Sequence, residues 1–344
     1  MSGANVALFG ATGAVGAEML KVLEERNFPV KNLRALASRG GRTVKWRGRD
    51  IPVEAVTAAS FENTDLALFA VEGDISREWA PVAVKNGAVV VDNSSAFRMH
   101  SEVPLVVPEV NPDDIGKHKG IIANPNCSTI IALVALAPLH RAAKIKRLVA
   151  STYQAVSGAG KAGLEELESQ VRTYAGNEKA KLTASAFQHQ IAFNLIPHID
   201  AFDEEDYTKE ELKLRNESRK ILHAPDLRVS CTCVRVPVLR SHSESLTVET
   251  ELPLSPDEAR KIFAEAPGVK LLDSPAENLY PMPLLSSDQD LIHVGRIRRD
   301  ESLEEGRNGV VLWVCGDQIR KGAATNAVQI AENAWHNGQA RFKK

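Results

Sequence analysis

The residue with the clearest potential for chemistry is Cys127, in the stretch ANPNCSTII at residues 123–131. A polar Asn-Pro-Asn loop precedes it, and the apolar run IIALVALAPL follows with the character of a helix. Peptide dipoles and free N–H groups at a helix N-terminus favour an anion, which makes a thiol there a candidate nucleophile. The alternative is a buried structural cysteine, which suits the settings of Cys231, Cys233 and Cys315.

A nucleophilic thiol needs an acid/base partner and polar groups at the reacting carbon. Gln154 stands at a predicted strand end in STYQAVSGAG and is followed by a loop of small residues. His242 stands in RSHSES, which we interpret as a polar turn between two strands. Of the nine histidines, His242 has the best context for an acid/base, although spacing alone favours it only slightly over His189, His198 and His293.

A glycine loop, GATGAVG at residues 10–16, follows the first predicted strand and opens the first predicted helix. Glycines at this position let the backbone approach a pyrophosphate, which the helix N-terminus attracts. The second strand ends in Ser38 and Arg39, where NAD sites usually have an acid. A hydroxyl and a guanidinium suit a 2′-phosphate, so the sequence favours NADP; the alternative is a surface arginine.

The predicted elements explain how these residues could be positioned. Apolar strand patterns at 5–9, 33–37, 66–71 and 88–92 alternate with helical patterns at 16–26 and 76–87, which indicates a doubly wound parallel sheet. Longer alternating strands follow Cys127, at 147–153, 229–236, 246–252, 292–297 and 309–315. We therefore predict an α/β protein: a Rossmann-type NADP-binding domain plus an α+β domain with a mixed, largely antiparallel sheet.

Composition excludes several classes of protein. The chain has 344 residues, 44% of them hydrophobic and 25% charged, and a formal net charge of −2. That charge gives no reason to expect nucleic acid or an anionic membrane as a partner. The four cysteines lack the spacing of a disulfide framework or a metal site, so we expect no metal and a reducing cytoplasm.

Ten stretches together resemble the aspartate-β-semialdehyde dehydrogenase family along nearly the whole chain. In chain order they are GATGAVG, VVVDNSSAFR, VPLVVPEVN, NPNCST, STYQAVSGAG, IAFNLIP, YTKEELK, CVRVPVLRSHSES, HVGRIR and KGAATNAVQIAE. The resemblance implies that Cys127 is the nucleophile, that Gln154 orients the substrate and that His242 is the acid/base. It implies that Arg235 binds the substrate α-carboxylate and that Glu210 lies near its α-ammonium.

The resemblance also implies ligands for phosphate and cofactor. Its phosphate ligands are Arg98, Asn126 and Lys213. The glycine loop and the resemblance together give the following NADP contacts: Gly10, Thr12, Gly13, Ala14, Val15, Ser38, Arg39, Ser157, Gly158 and Asn326. One departure from the family pattern is AVEGDIS at 70–76, where Glu72 and Asp74 would repel the dinucleotide if they pointed inward.

The function implied is NADPH-dependent reduction of L-4-aspartyl phosphate to L-aspartate 4-semialdehyde and phosphate through a Cys127 thioester. This step belongs to the biosynthesis of lysine through diaminopimelate, and of methionine and threonine. The implied domains are residues 1–130 for NADP, completed by a C-terminal helix at 322–344, and residues 131–321 for catalysis and dimerisation. A homodimer or homotetramer is expected.

Three alternatives remain open. N-acetyl-γ-glutamyl-phosphate reductase would share the thiol, the histidine and the NADP loop, but its acylated substrate would not need Glu210. Glyceraldehyde-3-phosphate dehydrogenase fits less well, because its cysteine lies in an SCTTN-like sequence. A non-catalytic NADP sensor or scaffold is possible on the same fold, since a fold does not determine a function.

Overall fold

The computed structural model describes residues 3–340; the predicted ends of the first domain, residues 1–2 and 341–344, lie outside them. The chain divides into two compact units. The first runs up to Ile130 and includes Lys220–Leu222 and the chain from Gly322 onwards; the second comprises Ile131–Arg219 and His223–Lys321. No helix within residues 3–340 is long and apolar enough to cross a membrane.

The first unit is built on a seven-stranded sheet, in which the strand order is β3-β4-β2-β1-β5-β6-β7. All its pairings are parallel except the β3–β4 hairpin. The strands are β1 Ala4–Phe9, β2 Val30–Ala37, β3 Arg42–Trp46, β4 Arg49–Ala55, β5 Leu66–Phe69, β6 Val89–Asp92 and β7 Ile121–Ala123. This arrangement confirms the predicted Rossmann-type fold class.

Helices cover both faces of this sheet, and its inner strand β5 is accordingly apolar and buried throughout. Alternate residues of β1 enter different cores: Val6 and Leu8 belong to one, Ala7 and Phe9 to the other. Helices α1 Ala14–Glu25 and α8 Thr325–His336 complete the first core, and α2 Gly73–Lys85 completes the second.

The β3–β4 hairpin was missed by the sequence analysis, although a local signal was present. The two strands pair up to Trp46 and Arg49, so the connection has only two residues. Both of these, Arg47 and Gly48, have positive φ angles of 47° and 73°. A two-residue turn of this kind matches the twist of the strands, so RG between two alternating segments could have indicated the hairpin.

The second unit has a six-stranded sheet in the order β11-β12-β13-β10-β8-β9. Its strands are β8 Ile145–Ala155, β9 Arg228–Val236, β10 His242–Thr250, β11 Val269–Leu271, β12 Ile292–Arg299 and β13 Asn308–Gly316. The β8–β9 and β11–β12 pairs are parallel and the three pairs between them antiparallel, which confirms the mixed sheet.

Five helices accompany or lead into this sheet. They are α3 Cys127–Ala143, α4 Gly160–Gly176, α5 Lys209–Ile221, α6 Pro256–Glu265 and the short α7 Pro283–Ser286. Helix α3 is apolar on nearly all sides, which is typical of a helix buried in a core. Its buried stretch from Ile131 to Ala137 supplies apolar surface to the second unit.

The predicted turn between the two strands is present at residues 237–241, but His242 itself lies directly after it. His242 is the first residue of β10, pairs with Gly316 of β13 and is completely buried. The polar sequence RSHSES resembles a turn, because polar side chains are usually exposed to solvent. Strand pairing satisfies the backbone from His242 onward, and polar partners from neighbouring elements bind the side chains of Ser241, His242 and Ser243.

Candidate active site

Cys127 is the first residue of α3 and is half-buried. The side chain of Asn126 caps the helix, because its Oδ1 accepts hydrogen bonds from the N–H groups of Ser128 at 3.0 Å and Thr129 at 3.3 Å. The positive end of the helix therefore lies beside the thiol and favours its anionic form. Only Nδ2 of the Asn126 amide can donate a hydrogen bond, so a phosphate bound by this side chain would contact Nδ2.

Arg98, in the first unit, is held by the ends of two strands. Its Nε donates to the carbonyl of Asn124 at 2.9 Å, and its Nη2 donates to the carbonyl of Asn93 at 2.7 Å. These asparagines directly follow β7 and β6, and the Asn124 side chain donates to the Asn93 side chain at 2.9 Å. A buried guanidinium at the carboxyl ends of parallel strands suits an anionic ligand.

Asn326, predicted as an NADP contact, is buried in α8 and belongs to the same network. Its Nδ2 donates to Oδ1 of Asn124 at 2.7 Å and to the carbonyl of Val106 at 2.9 Å. Both amide hydrogens are therefore used within the unit. Contact with a ligand would have to use Oδ1 of Asn326 as an acceptor.

The glycine loop has the shape that a dinucleotide requires. Gly10 has a φ angle of 91°, and a Cβ there would lie 2.2 Å from the carbonyl oxygen of Ala70. A Cβ at Gly16 would lie 2.2 Å from the carbonyl oxygen of Gly10, so only glycine permits this close turn. Gly13 caps α1, and it is exposed together with Thr12 and Ala14, while Val15 is half-buried. The N–H groups at the start of α1 are thus accessible to a phosphate.

Ser38 and Arg39 directly follow β2 and are exposed, at the strand end where a dinucleotide ribose is recognised. Glu72 and Asp74, which would repel the dinucleotide if they pointed inward, lie at the start of α2. Glu72 is exposed at the N-cap of α2, and Asp74 forms an ion pair with Arg77 within the first turn of that helix. The positive charge of Arg77 therefore offsets the negative charge of Asp74, and the carboxylate stabilises the N-terminus of α2.

In the second unit, Gln154 is almost completely buried near the end of β8. Its Nε2 donates to Oε1 of Glu210 at 3.0 Å, and its Oε1 accepts from the hydroxyl of Thr152 at 3.2 Å. The other oxygen of Glu210 lies 3.2 Å from Nζ of Lys213, which also binds Asp200 at 2.8 Å. Burial lowers the pKa of Lys213, but these two carboxylates outweigh that effect and hold the pKa above its ordinary value.

Arg235 and His242 are joined through one peptide group, that of Ala155. The Ala155 N–H donates to Nδ1 of His242 at 3.1 Å, and the Ala155 carbonyl accepts from Nη1 of Arg235 at 2.7 Å. Burial, and after it the nearby Arg235 charge, holds the pKa of His242 well below 6.5. The ring of Phe187 lies 5.9 Å from the Arg235 guanidinium carbon and partly shields that charge from water.

Ser157 and Gly158, predicted as NADP contacts, lie in the tight turn that follows β8. The Ser157 hydroxyl accepts a hydrogen bond from Gln318, whose Oε1 accepts from the N–H of Ser241 at 2.8 Å. Gly158 lies against the Arg235–His242 pair, since a Cβ there would be 2.7 Å from Nη1 of Arg235 and 3.2 Å from Cε1 of His242.

The other three cysteines and the three alternative histidines lie in surroundings that do not suggest a catalytic role. Burial raises the pKa of the Cys315 thiol to about 12, and Cys231 and Cys233 are also buried. Among the alternative histidines, His189 is exposed and His198 half-buried. Burial lowers the pKa of His293 to about 4, and within residues 3–340 its ring nitrogens have no hydrogen-bond partner.

Several supporting residues escaped the sequence analysis. Asn93 and Asn124 position Arg98 and Asn326, and their location directly after two parallel strands could have identified them. Thr152, Asp200 and the peptide of Ala155 had no comparable signal. Only the Ala155 contact is long-range, at 87 residues along the chain, whereas Thr152 and Asp200 lie 2 and 13 residues from their partners.

Comparisons with known proteins agree with these two units. The model of the semialdehyde dehydrogenase NAD binding domain matches residues 5–118, and that of the semialdehyde dehydrogenase dimerisation domain matches residues 136–321. The aspartate-semialdehyde dehydrogenase of Aquifex aeolicus is 54% identical over 336 residues, 96% of this chain and 97% of the relative. That of Bacillus subtilis is 46% identical over 339 residues, 96% of this chain and 97% of the relative.

Solved structures give the same result. The crystal structure of aspartate semialdehyde dehydrogenase II from Vibrio cholerae has a TM-score of 0.94 and 44% identity, over 97% of this chain and 99% of that one. A second structure of that protein is complexed with ASA. The resemblance inferred from ten sequence motifs is confirmed, and the chain belongs to the aspartate-semialdehyde dehydrogenase family.

Proposed function

We propose that this protein reduces L-4-aspartyl phosphate to L-aspartate 4-semialdehyde and phosphate, in the biosynthesis of lysine, methionine and threonine. The observation that carries the proposal is the buried arrangement of Glu210, Gln154, Arg235 and His242 within the second unit. The substrate carries an ammonium, a carboxylate and an acyl phosphate. Glu210 has the charge for the first and Arg235 the planar fork for the second.

We propose that the cationic side chains of Arg98 and Lys213 bind the phosphate group of the substrate, with the Asn126 amide as a further hydrogen-bond donor. Arg98 is fixed by two backbone carbonyls, so its guanidinium is preorganised and loses little entropy on binding. Lys213 stays protonated because Glu210 and Asp200 hold its pKa up. The family relationship and the ASA complex of the Vibrio cholerae relative support this substrate class.

Cys127 is the proposed nucleophile. Its thiolate attacks the acyl phosphate carbon, the C–O bond to phosphate breaks, and a thioester remains. When bound, the dinucleotide supplies a hydride to the thioester carbon. The resulting thiohemiacetal collapses as its C–S bond breaks, releasing the aldehyde and restoring the thiolate. Gln154 orients the substrate at this carbon, and His242 acts at the carbonyl oxygen.

The proposed cofactor is NADP. The residues that fit it are the tight glycine loop with the accessible start of α1, and Ser38 with Arg39 exposed after β2. A guanidinium and a hydroxyl at that strand end favour a 2′-phosphate over a bare hydroxyl. We also propose a cytoplasmic location, where the cysteines, none of which forms a disulfide among the described residues, would stay reduced. The proposed assembly is a homodimer or homotetramer.

An absorbance assay for NADPH tests the reaction, the substrate and the cofactor together. The protein is given L-aspartate 4-semialdehyde, NADP and phosphate, with phosphate omitted or NAD substituted in parallel cuvettes. We expect NADPH formation that depends on phosphate and is faster than NADH formation. Activity only with N-acetylglutamate semialdehyde would show that this aldehyde, and not L-aspartate 4-semialdehyde, is the substrate. NADP binding without turnover of either aldehyde would favour a non-catalytic NADP sensor.

The Cys127→Ala variant checks the thioester step. We expect loss of turnover by at least about 10³-fold, because the covalent route is removed, while NADP still binds. Cys315→Ala is the matched control, since burial keeps that thiol protonated and it has no proposed role. Near-normal turnover by the Cys127 variant would contradict the proposed nucleophile.

A further inference from the structure

The loop that follows β6 carries Arg98 and is exposed over much of its length. Two successive tight turns shape it: the N–H of His100 donates to the carbonyl of Phe97 at 3.0 Å, and the N–H of Val103 donates to the carbonyl of His100 at 3.2 Å. Residues 99–102 are all exposed, so burial contributes little to fixing this part of the loop. A segment with few buried contacts needs polar contacts to hold it in one position.

Lys220 supplies such contacts. It lies near the end of α5 and belongs, with the next two residues, to the first unit. Its Nζ donates to the carbonyl of Arg98 at 2.7 Å and to the carbonyls of His100 and Val103 at 2.8 Å each. A lysine ammonium has three hydrogens, so these three hydrogen bonds match its full capacity as a donor.

The three carbonyls require a positive charge between them. Because their oxygen atoms converge on one nitrogen, the negative ends of three dipoles lie close together and repel one another. The ammonium of Lys220 offsets this repulsion, and hydrogen bonds from an ionised donor are stronger than those between neutral groups. A neutral side chain of similar shape would leave the carbonyls without that attraction.

Arg98 is consequently held at both of its ends. Lys220 binds its backbone carbonyl, while the carbonyls of Asn93 and Asn124 bind its guanidinium. The nearby ion pair between Lys119 and Glu102 is different, since these side chains are 67% and 68% exposed. Exposed pairs of this kind contribute little to fixing a segment.

We propose that Lys220 is a positioning residue for the phosphate site: it fixes the loop that carries Arg98, and so sets the affinity for phosphate without contacting it. The inference rests on the proposed function for the role of Arg98 as a phosphate ligand. Since its hydrogens bind three carbonyls, Lys220 acts through Arg98 and not as a further ligand.

The Lys220→Met variant tests this role, because methionine keeps an unbranched apolar stem and removes the charge. In the direction of aldehyde oxidation, we expect the KM for phosphate to rise by about tenfold or more, since a displacement of about 1 Å at a site can cost about 10²-fold. The KM for NADP, and kcat at saturating phosphate, should change little. Lys119→Met is the matched control and should leave the KM for phosphate near that of the unaltered protein.

An Arg98→Ala background separates positioning from direct contact. If Lys220 acts only through Arg98, Lys220→Met should have little further effect on kcat/KM for phosphate once the guanidinium is gone, so the two changes should be strongly non-additive. Effects that multiply, as for two independent phosphate ligands, would overturn the proposal. So would an unchanged KM for phosphate in Lys220→Met, or a rise in the KM for NADP alone.

Lys220→Arg keeps the test decisive if Lys220→Met does not fold. Arginine retains the charge, but its planar fork cannot meet three carbonyls that converge on one point. We therefore expect a smaller rise in the KM for phosphate than in Lys220→Met. An unchanged KM in the arginine variant would show that the convergent contact does not position Arg98.

Hydrogen exchange provides a measurement that does not depend on turnover. The amides of His100 and Val103 are protected by the two turns of the loop and should exchange faster in the Lys220 variants than in Lys119→Met. Equal exchange in all of them would overturn the proposal. If the unaltered protein fails to oxidise the aldehyde, the proposed function fails, while exchange still decides whether Lys220 fixes the loop.

Discussion

Glu244 is a completely buried residue of β10, and within residues 3–340 neither of its carboxyl oxygens has a hydrogen-bond partner. Its register partners are Thr152 of β8 and Val314 of β13, so it lies next to the strand positions that carry Gln154 and His242. An ionised carboxylate in such a place would be strongly destabilised. Burial therefore raises the pKa of Glu244 well above 4.5, with smaller contributions from Cys231 and Glu210.

Glu244→Gln should stabilise the protein at neutral and alkaline pH. Above pH 4.5 the unfolded chain releases this proton while the folded chain keeps it, so the free energy of unfolding falls as pH rises until the folded pKa is reached. Glutamine removes the titration. We expect urea unfolding curves to coincide near pH 4.5 and to separate in favour of the variant by up to about 1.4 kcal/mol per pH unit above it.

Glu249→Gln is the matched control, because the same change on the same strand should have the opposite effect. Glu249 is buried and pairs with Arg228 at 3.4 Å and Arg307 at 2.9 Å, so its neutralisation leaves both arginines without that partner. Lower stability of Glu244→Gln at pH 8 would show that Glu244 is ionised and paired in the folded protein.

At the scale of elements, the short turn Val156–Ala159 between β8 and α4 controls the Arg235–His242 pair. The turn begins directly after Ala155, whose peptide binds both side chains, and Gly158 then passes against them. The close approach works only because Gly158 has no side chain. A Cβ at this position would lie 2.7 Å from Nη1 of Arg235, so the guanidinium would have to move away.

Gly158→Ala should impair substrate binding without unfolding the protein. The displaced atom is the end of a flexible side chain, so stability should change little, but a shift of the guanidinium by about 1 Å can lower kcat/KM by about 10²-fold. We expect the loss to appear in the KM for the aldehyde, measured beside Gly176→Ala, whose new methyl group enters open space. A rise in the KM for NADP alone would instead assign Gly158 to the cofactor.

At the scale of the whole molecule, the second unit exposes several large apolar side chains. Leu284 is 92% exposed on α7, with Met282, Leu285 and Leu291 also exposed nearby in the chain. Exposed apolar residues grouped in this way are typical of a protein interface. They lie within the segment that matches a dimerisation domain, residues 136–321.

Leu284→Glu should therefore weaken self-association. Sedimentation should show the unaltered protein at twice the 37.4-kDa chain mass or a multiple of it, and the variant should shift toward the monomer as it is diluted. Leu195→Glu, at another exposed leucine of the same unit, is the control. An unaltered protein that sediments as a monomer would contradict the proposed assembly.

The sequence determined the features that depend on local pattern or on matching motifs. The apolar strands and the glycine loop indicated the doubly wound sheet, because strand burial and the phosphate-binding turn both impose short-range constraints on residue type. The helix start at Cys127 was readable for the same reason, since an Asn-Pro-Asn loop before an apolar run is a local signal. The motif set identified the family.

Only the tertiary structure decided the features that depend on partners far apart in the chain. His242 belongs to a strand and not a turn because β13 pairs with it, and its Nδ1 accepts a hydrogen bond from an N–H 87 residues away. Arg98 is held by carbonyls that follow two strands, and the pKa of Glu244 is raised because the sheet buries it with no hydrogen-bond partner among residues 3–340. Burial and long-range hydrogen bonds are properties of the packed chain, so no local pattern could have specified them.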